Sequence, residues 1–365
     1  MYGKKMKKIA IFIRITLVIT FAVCLFAACD KVSPTGVFIG GTGVDDRVEM
    51  SYSYYKKYMA DSVHITAPDG EYSFLVGSDS HVATDTGRIA EMLDIGIEHG
   101  DLLFAHLGDI ADTKAEYYMN LDKALKEGFN KYYLKYFEYA ADTMSILGGQ
   151  SHVYEYLYDK RLDHGLQKGL EGNEEAFQNY YNNVSEIRFP FFPVVGNHDI
   201  THNGWALFTS LFHSSFYEFD VKIKGTDQYD HFIFLDSANG TLGKKQINLI
   251  DEGLMNSNKK IRHTFVFTHT NLFRPSTTQF SSTFPREELY YLLNKLSEWN
   301  ATIMFCGHVH KWDDRTVGGV RYLTLESMSE RNSPDPGKYL VRVTCKKDGS
   351  VDVEQVQMNY VAKKK

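Results

Sequence analysis

The 365-residue chain is poor in cysteine, in excess positive charge and in long apolar runs, and each shortage removes a class of protein. Only four cysteines occur, Cys24, Cys29, Cys306 and Cys345, and none forms a Cys-x-x-Cys pair. A disulfide framework is therefore ruled out as the source of stability. Cys306 lies in an apolar run and reads as a buried, inert thiol, while a single Cys306–Cys345 bridge stays open at this level. Lys and Arg number 40 against 46 Asp and Glu, a formal charge of −6. Five of the bases (Lys4, Lys5, Lys7, Lys8 and Arg14) fall within residues 1–28, which hold no acid. Setting them aside leaves 35 bases against 46 acids, a net of −11. Binding to a phosphate backbone needs clustered excess Lys and Arg, so no nucleic-acid-binding surface is expected. No internal repeat or low-complexity segment stands out.

The leading apolar run, Ile15 to Ala28, is 14 residues long. That is short of the roughly 20 a membrane-spanning helix needs. Behind a basic start it reads as a secretory signal. The run ends in Leu25-Phe26-Ala27-Ala28-Cys29, which resembles a bacterial lipobox, although Phe26 stands where an aliphatic residue is usual. The resemblance implies a signal peptide over 1–28, lipidation at Cys29, and attachment to the cell envelope through the N-terminal lipid, periplasmic or at the cell surface. Residues 29–70, with Pro34, Gly40-Gly41 and Pro68 and weak periodicity, read as a tether.

Beyond the tether, short runs rich in Val, Ile, Phe and Leu recur: 72–77, 102–107, 191–195, 231–235, 264–268, 302–306, 322–325 and 339–344. Runs of this length fit strands buried on both faces. Helical patterns at 86–99, 244–256 and 286–299 alternate with them, which predicts a layered α/β architecture. Within the last-but-one helix region, Gln246 and Leu249 read as packing residues rather than catalytic ones. Residues 113–188 interrupt the alternation and hold 11 of the 24 tyrosines. Such an aromatic helical insertion needs a surface to pack on, and reads as a cap over the strand ends or as a peripheral decoration.

Five apolar runs end in metal-ligand residue types: Asp79-Ser80-His81, Gly108-Asp109-Ile110-Ala111-Asp112, Gly196-Asn197-His198-Asp199, Thr268-His269 and Gly307-His308-Val309-His310. Ligand sites of open α/β sheets collect at the carboxyl ends of strands, where loops bring distant residues together. Imidazole and carboxylate donors suit first-row metals, and an amide oxygen adds a neutral ligand. The glycines at 108, 196 and 307 suit turns that let backbone approach closely.

The ordered series, from Gly77 to His310, resembles the calcineurin-like metallophosphoesterase superfamily. The resemblance implies a layered αββα sandwich with flanking helices, here over 71–361 with the 113–188 insertion. It also implies a dinuclear centre of Mn, Fe or Zn that activates hydroxide for in-line attack on a phosphate ester. By position, Asp79, His81, Asp109 and His310 would hold one metal, and Asp109, Asn197, His269 and His308 the other. His198 would be the general acid, oriented by Asp112. Purple acid phosphatases carry a metal-bound Tyr where this chain has Asp112, and protein Ser/Thr phosphatases carry an Arg where it has Thr113, so both branches fit less well. Arg274 reads as a phosphate partner or as a solvated loop residue. A surface lipoprotein that binds a glycan or protein, with a purely structural metal site, is the other reading the sequence leaves open.

Overall fold

The structure is a computed structural model that describes residues 43–56, 65–67, 70–81, 87–110, 191–200, 205, 208, 212, 214–273, 284–329 and 338–361. The signal segment, Cys29, Asp112, Arg274 and the 113–188 insertion lie outside the described residues.

Seventeen elements follow one another among these residues. They are α1 (Val44–Tyr54), β1 (Ile65–Ala67), β2 (Tyr72–Gly77), α2 (Gly87–His99), β3 (Phe104–His106), β4 (Phe191–Pro193) and α3 (Asn197–Ile200). Next come β5 (Tyr217–Ile223), β6 (Gln228–Leu235), α4 (Gly243–Asp251), β7 (Lys260–Thr268), α5 (Arg286–Glu298) and β8 (Ala301–Cys306). The series closes with β9 (Asp313–Val317), β10 (Val320–Thr324), β11 (Tyr339–Cys345) and β12 (Val351–Gln357).

They build two sheets, one ordered β1-β5-β6-β7-β8-β10-β9 and the other β12-β11-β2-β3-β4. β6, β7, β8 and β10 run parallel, as do β2, β3 and β4, so the carboxyl ends of each set open onto one edge. The layers run helix, sheet, sheet, helix, as the sequence predicts.

Aromatic side chains fill the space between the sheets. Phe74 of β2 meets Phe232 and Phe265 of the other sheet edge-on, at 5.2 and 5.0 Å between centroids. Across the larger sheet, Phe234 stacks on Phe267 at 4.6 Å and Phe267 on Phe305 at 5.0 Å. Pairs of this kind contribute about 0.5–1.5 kcal/mol beyond their buried area. The outer face of the larger sheet packs Ile233, Val266 and Met304 against Val44 and Val48 of α1, Leu249 of α4 and Leu292 of α5. On the smaller sheet's side, α2 buries Met92 and receives the chain beyond β12, with Glu91 accepting from the amides of Asn359 and Tyr360.

The tether expected over 29–70 needs correction in its second half. Residues 44–54 form α1, whose buried stripe is Val44, Arg47, Val48 and Ser51, and residues 65–67 pair with β5. Arg47 is wholly buried and grips Asp236 through both Nε (2.8 Å) and Nη2 (2.7 Å). Two valines make a weak periodic signal, and the contact that fixes the helix is ionic, so apolar spacing does not reveal it.

Cys306 and Cys345 are both free and buried, on strands of different sheets, which answers the open question of a bridge. Burial pushes the Cys306 thiol up to about 12, in keeping with an inert packing role. Among the described residues, no helix is long and apolar enough to cross a membrane.

Candidate metal centre

The predicted site residues leave the carboxyl ends of β2, β3, β7 and β8 and the short helix α3, and most of them meet. Ligand atoms of Asp79, His81, Asp109 and His310 lie within 4.8 Å of one another, and so do those of Asp109, His269 and His308. Asp109 belongs to both groups. Asn197 joins the second, with Oδ1 3.0 Å from His269 Nε2. His198 stands against the first, its ring 4.6 Å from that of His81 and perpendicular to it, while its backbone N–H donates to Asp109 Oδ1 at 2.7 Å. Among the predicted catalytic and metal-ligating residues, Asp112 lies outside the described residues, as does the lipidation candidate Cys29.

The backbone around these groups is strained. Asp79, His81, Asp109, His308 and His310 all have positive φ, between 42° and 68°. The one other described non-glycine residue of this kind is Asn300; Asn, Asp and His are the non-glycine types that enter the left-handed region most often. Such conformations cost of order 1–3 kcal/mol each and persist where the surroundings over-determine them.

Here they are over-determined by stitching between loops. Asp79 N donates to Gly108 O, His81 N to Asp109 O, and Gly307 N to His269 O, all at 2.9–3.1 Å. Close approach explains two of the glycines: a Cβ at Gly196 would fall on the backbone nitrogen and carboxylate of Asp109, and one at Gly307 on Ser78 and the Asp79 carboxylate.

Proton positions test whether these residues fit metal ions. His269 Nδ1 is 2.7 Å from the carbonyl oxygen of Leu107, which accepts only, so Nδ1 carries a proton and donates it. In the neutral ring Nε2 is then a bare lone pair. It faces Asn197 Oδ1 at 3.0 Å, His308 Nδ1 at 3.2 Å and Asp109 Oδ2 at 3.4 Å. His81 Nε2 and His310 Nε2 likewise stand 3.1 Å apart, with Asp79 Oδ1 3.1 Å from His310 Nε2. The bare Nε2 of His269, facing Asn197 Oδ1 and Asp109 Oδ2, is an acceptor among acceptors and calls for a cation, and an imidazole whose other nitrogen donates to a backbone carbonyl is the usual arrangement for a metal ligand. The cluster can hold two metal ions.

The same convergence attracts positive charge, so that with no cation present a proton on His269 Nε2 would take its place. Burial opposes charge on His269, but the charge and hydrogen bond of Asp109 and the charge of Asp79 outweigh it and push the ring up to about 10. Burial likewise opposes charge on Asp79, yet the His310 hydrogen bond and the charges of His269 and His310 hold it at about 2. His308 falls to about 4, through burial and the neighbouring His269.

Some residues that build the site carry no signal in isolation. Asp199, buried, accepts from the amides of Ile110 and Gly196, both at 2.9 Å, and so ties the β3 loop to the β4 loop. An Asp three residues after a Gly, with two loop amides to satisfy, is the only sequence trace of that role. Ser327 donates to the carbonyl of Asp79 at 2.8 Å across 248 residues of chain, which no local pattern reveals. Gln246 acts as predicted: its amide donates to Asp236 O and Leu242 O and its oxygen accepts from Asp236 N. Asn239 and Asn271, in the loops after β6 and β7, hold buried polar atoms without a hydrogen-bond partner among the described residues: Asn239 Oδ1 and Nδ2, and Asn271 Oδ1. Leaving such an atom unpaired costs about 1–3 kcal/mol.

No family model matches the chain, and no curated protein matches it. Among solved structures it is similar to GAP50, the anchor in the inner membrane complex of Plasmodium, at 15% identity and a TM-score of 0.45, covering 81% of this chain and 90% of that one. It is also similar to a dimetal phosphatase from Danio rerio, at 13% identity and a TM-score of 0.43, covering 79% and 99%. A third similar structure is PhoD, at 10% identity and a TM-score of 0.42, covering 82% and 70%. Likenesses at this level decide nothing about activity, which rests on the residues of this chain.

Proposed function

We propose that this chain is a metal-dependent phosphoesterase of the metallophosphoesterase superfamily, held at a membrane surface by lipid on Cys29. The observation that carries the activity is the convergence of two Asp/His groups on one shared carboxylate, Asp109, with His198 beside them. Two bound cations would supply Lewis-acid polarisation of a phosphoryl oxygen and lower the pKa of the attacking water.

The chain's own residues do the rest. Asp79, His81 and His310 hold one side of the centre and Asn197, His269 and His308 the other, with Asp109 between. The Leu107 carbonyl fixes the His269 tautomer, and the stitched loops keep ligand positions from relaxing. His198, anchored at its backbone to Asp109, is the residue we assign to giving a proton from its ring to the departing ester oxygen. That step breaks the phosphorus–oxygen bond and releases a neutral alcohol. Asp112 is the residue we assign to orienting His198, on the strength of its place in the Gly-Asp-x-x-Asp series.

The test is hydrolysis of 4-nitrophenyl phosphate and bis(4-nitrophenyl) phosphate by the purified chain, stripped with chelator and reloaded separately with Mn, Fe or Zn. Activity restored by at least one metal is expected. A fully loaded protein that cleaves neither ester would leave a structural metal site as the better account. The anchor is tested apart from this: labelled fatty acid should enter the wild-type chain in a bacterial host and not the Cys29→Ser variant.

A further inference from the structure

Ser78 and then Asp79 follow the end of β2, and both are wholly buried. A carboxylate has about four lone-pair sites, two on each oxygen. On Asp79 Oδ2 both are engaged, because the Ser78 hydroxyl donates to it and the His308 backbone N–H donates to it at 3.0 Å. Oδ1 shares that N–H at 3.2 Å and otherwise faces His310 Nε2 at 3.1 Å and His81 Nε2 at 3.9 Å, the imidazoles of its own ligand group. The backbone of Asp79 is fixed as well: its N–H donates to Gly108 O at 3.1 Å and its carbonyl accepts from the Ser327 hydroxyl at 2.8 Å.

Asp109 divides its oxygens in the same way. Its Oδ1 accepts the His198 N–H at 2.7 Å, while Oδ2 faces His269 Nε2 at 3.4 Å and His81 Nε2 at 3.8 Å. There the anchored oxygen is held by a backbone amide, which every residue type but proline supplies. At Asp79 half of the hold comes from a side chain, so the sequence can remove it. Ser78 is itself fixed, since its carbonyl accepts from Met328 N–H at 2.9 Å and its hydroxyl fills space that a Cβ at Gly307 would enter. Ser80, on the other side of Asp79, is equally a buried serine but serves the loop: its hydroxyl donates to Ile110 O at 2.7 Å and lies 3.1 Å from His106 Nε2, neither of them a predicted ligand.

We propose that Ser78 is a positioning residue of the centre: its hydroxyl occupies Asp79 Oδ2, so that the carboxylate presents Oδ1 alone to a metal held with His81 and His310. The proposal rests on the dinuclear reading above and adds to it the residue that limits one of its ligands. Without the hydroxyl, Oδ2 regains a lone pair and the carboxylate is free to turn and to bind through both oxygens. A carboxylate kept to one oxygen leaves its metal a position for water or substrate, which a catalytic centre needs and a closed structural one does not. Hydrogen-bonded partners that orient a ligand in this way are each worth about 10- to 100-fold in metal affinity or activity.

The experiment strips the full chain of metal, reloads it with cobalt(II) as a spectroscopic probe, and counts equivalents and affinities by competition with a chromophoric chelator. Wild type should bind two equivalents. Ser78→Ala should lose about 10- to 100-fold in affinity for one equivalent and keep the other, with a changed intensity of the visible cobalt bands. Ser78→Thr, which keeps the hydroxyl, should restore both the affinity and the spectrum. Ser80→Ala should lower Tm, because it leaves the Ile110 carbonyl unpaired, and should leave both affinities and the spectrum at their wild-type values. Wild-type affinities and spectrum in Ser78→Ala, a loss shared equally by both equivalents, the same loss in Ser78→Thr, or the same loss in Ser80→Ala would each overturn the proposal while leaving the dinuclear phosphoesterase reading intact. A wild-type chain that binds fewer than two equivalents overturns both.

Discussion

Two clusters in this fold are made of the same materials and do opposite things. One is the Asp79–Asp109 centre. The other is His231 on β6, packed between Asp220 and Glu218 of the antiparallel neighbour β5. His231 Nδ1 donates to Asp220 Oδ1 at 2.7 Å and Nε2 to Met255 O at 3.3 Å, so every ring hydrogen has an acceptor. Glu218 Oε2 lies 3.0 Å from the same Nε2 and adds charge rather than an aligned hydrogen bond. Lys259 reaches Asp220 at 3.0 Å. Each of these residues has ordinary strand or loop backbone. At the centre, by contrast, imidazole nitrogens face imidazole nitrogens, and five residues sit in left-handed backbone. Histidine and carboxylate in contact therefore say little by themselves. Imidazole nitrogens facing one another on left-handed backbone mark the candidate metal centre, and complete pairing on relaxed backbone marks an ordinary structural cluster.

The contrast breaks most visibly at Asp109. Because this carboxylate belongs to both ligand groups, Asp109→Asn should remove detectable hydrolysis and lower bound metal from two equivalents, measured by elemental analysis. Full activity in that variant would sink the dinuclear reading. His198→Ala should keep both metals and lose about 10²–10⁴-fold in kcat. The loss should be steepest for esters with poor leaving groups, and a uniform loss across leaving groups would argue against proton donation. Chelation comes next. A ligand present at a thousandfold excess over its Kd stabilises by about 4 kcal/mol, so stripping metal should lower Tm on the order of 10 °C. In the same experiment the His231 cluster should be indifferent to the chelator, since its partners are already complete.

Legibility in the sequence divided along similar lines. Every apolar run that ends in a metal-ligand residue became a strand, because burial on both faces writes a continuous signal: β2, for example, is buried at all six positions. Strands with one wet face were missed. β5 alternates along Tyr217–Ile223, β12 is largely exposed, and β9 is a sheet edge with charged residues. Their apolar residues are too sparse to stand out as runs. Helix α1 was hidden for a different reason, since Arg47 is drawn inside by Asp236, a partner 189 residues away. At the candidate site, the residues that cluster were readable because metal chemistry restricts ligands to a few residue types, here at strand ends. The stitching by Asp199 and Ser327 was not, because those contacts join segments far apart in the chain.

The smallest expected effect sharpens the comparison by titrating the structural cluster alone. Burial disfavours charge on His231, but the Asp220 hydrogen bond and the charges of Glu218 and Asp220 outweigh it and raise the ring to about 9. A raised folded-state pKa means that the unfolded chain, near 6.5, releases the proton first as pH rises. The stabilisation is therefore fully present below about pH 6.5 and lost as pH climbs through about 9, about 3 kcal/mol in all. In metal-loaded protein, denaturant midpoints for wild type and His231→Gln should differ most at pH 6 and converge by pH 9.5. Hydrolysis by His231→Gln, assayed at 25 °C and pH 7, should retain the wild-type metal content and rate, because among the described residues this ring is paired with Asp220, Glu218 and Met255 and with no residue of the centre. A His231→Gln protein that loses metal, or a stability gap that stays constant from pH 6 to 9.5, would erase the distinction between the two clusters.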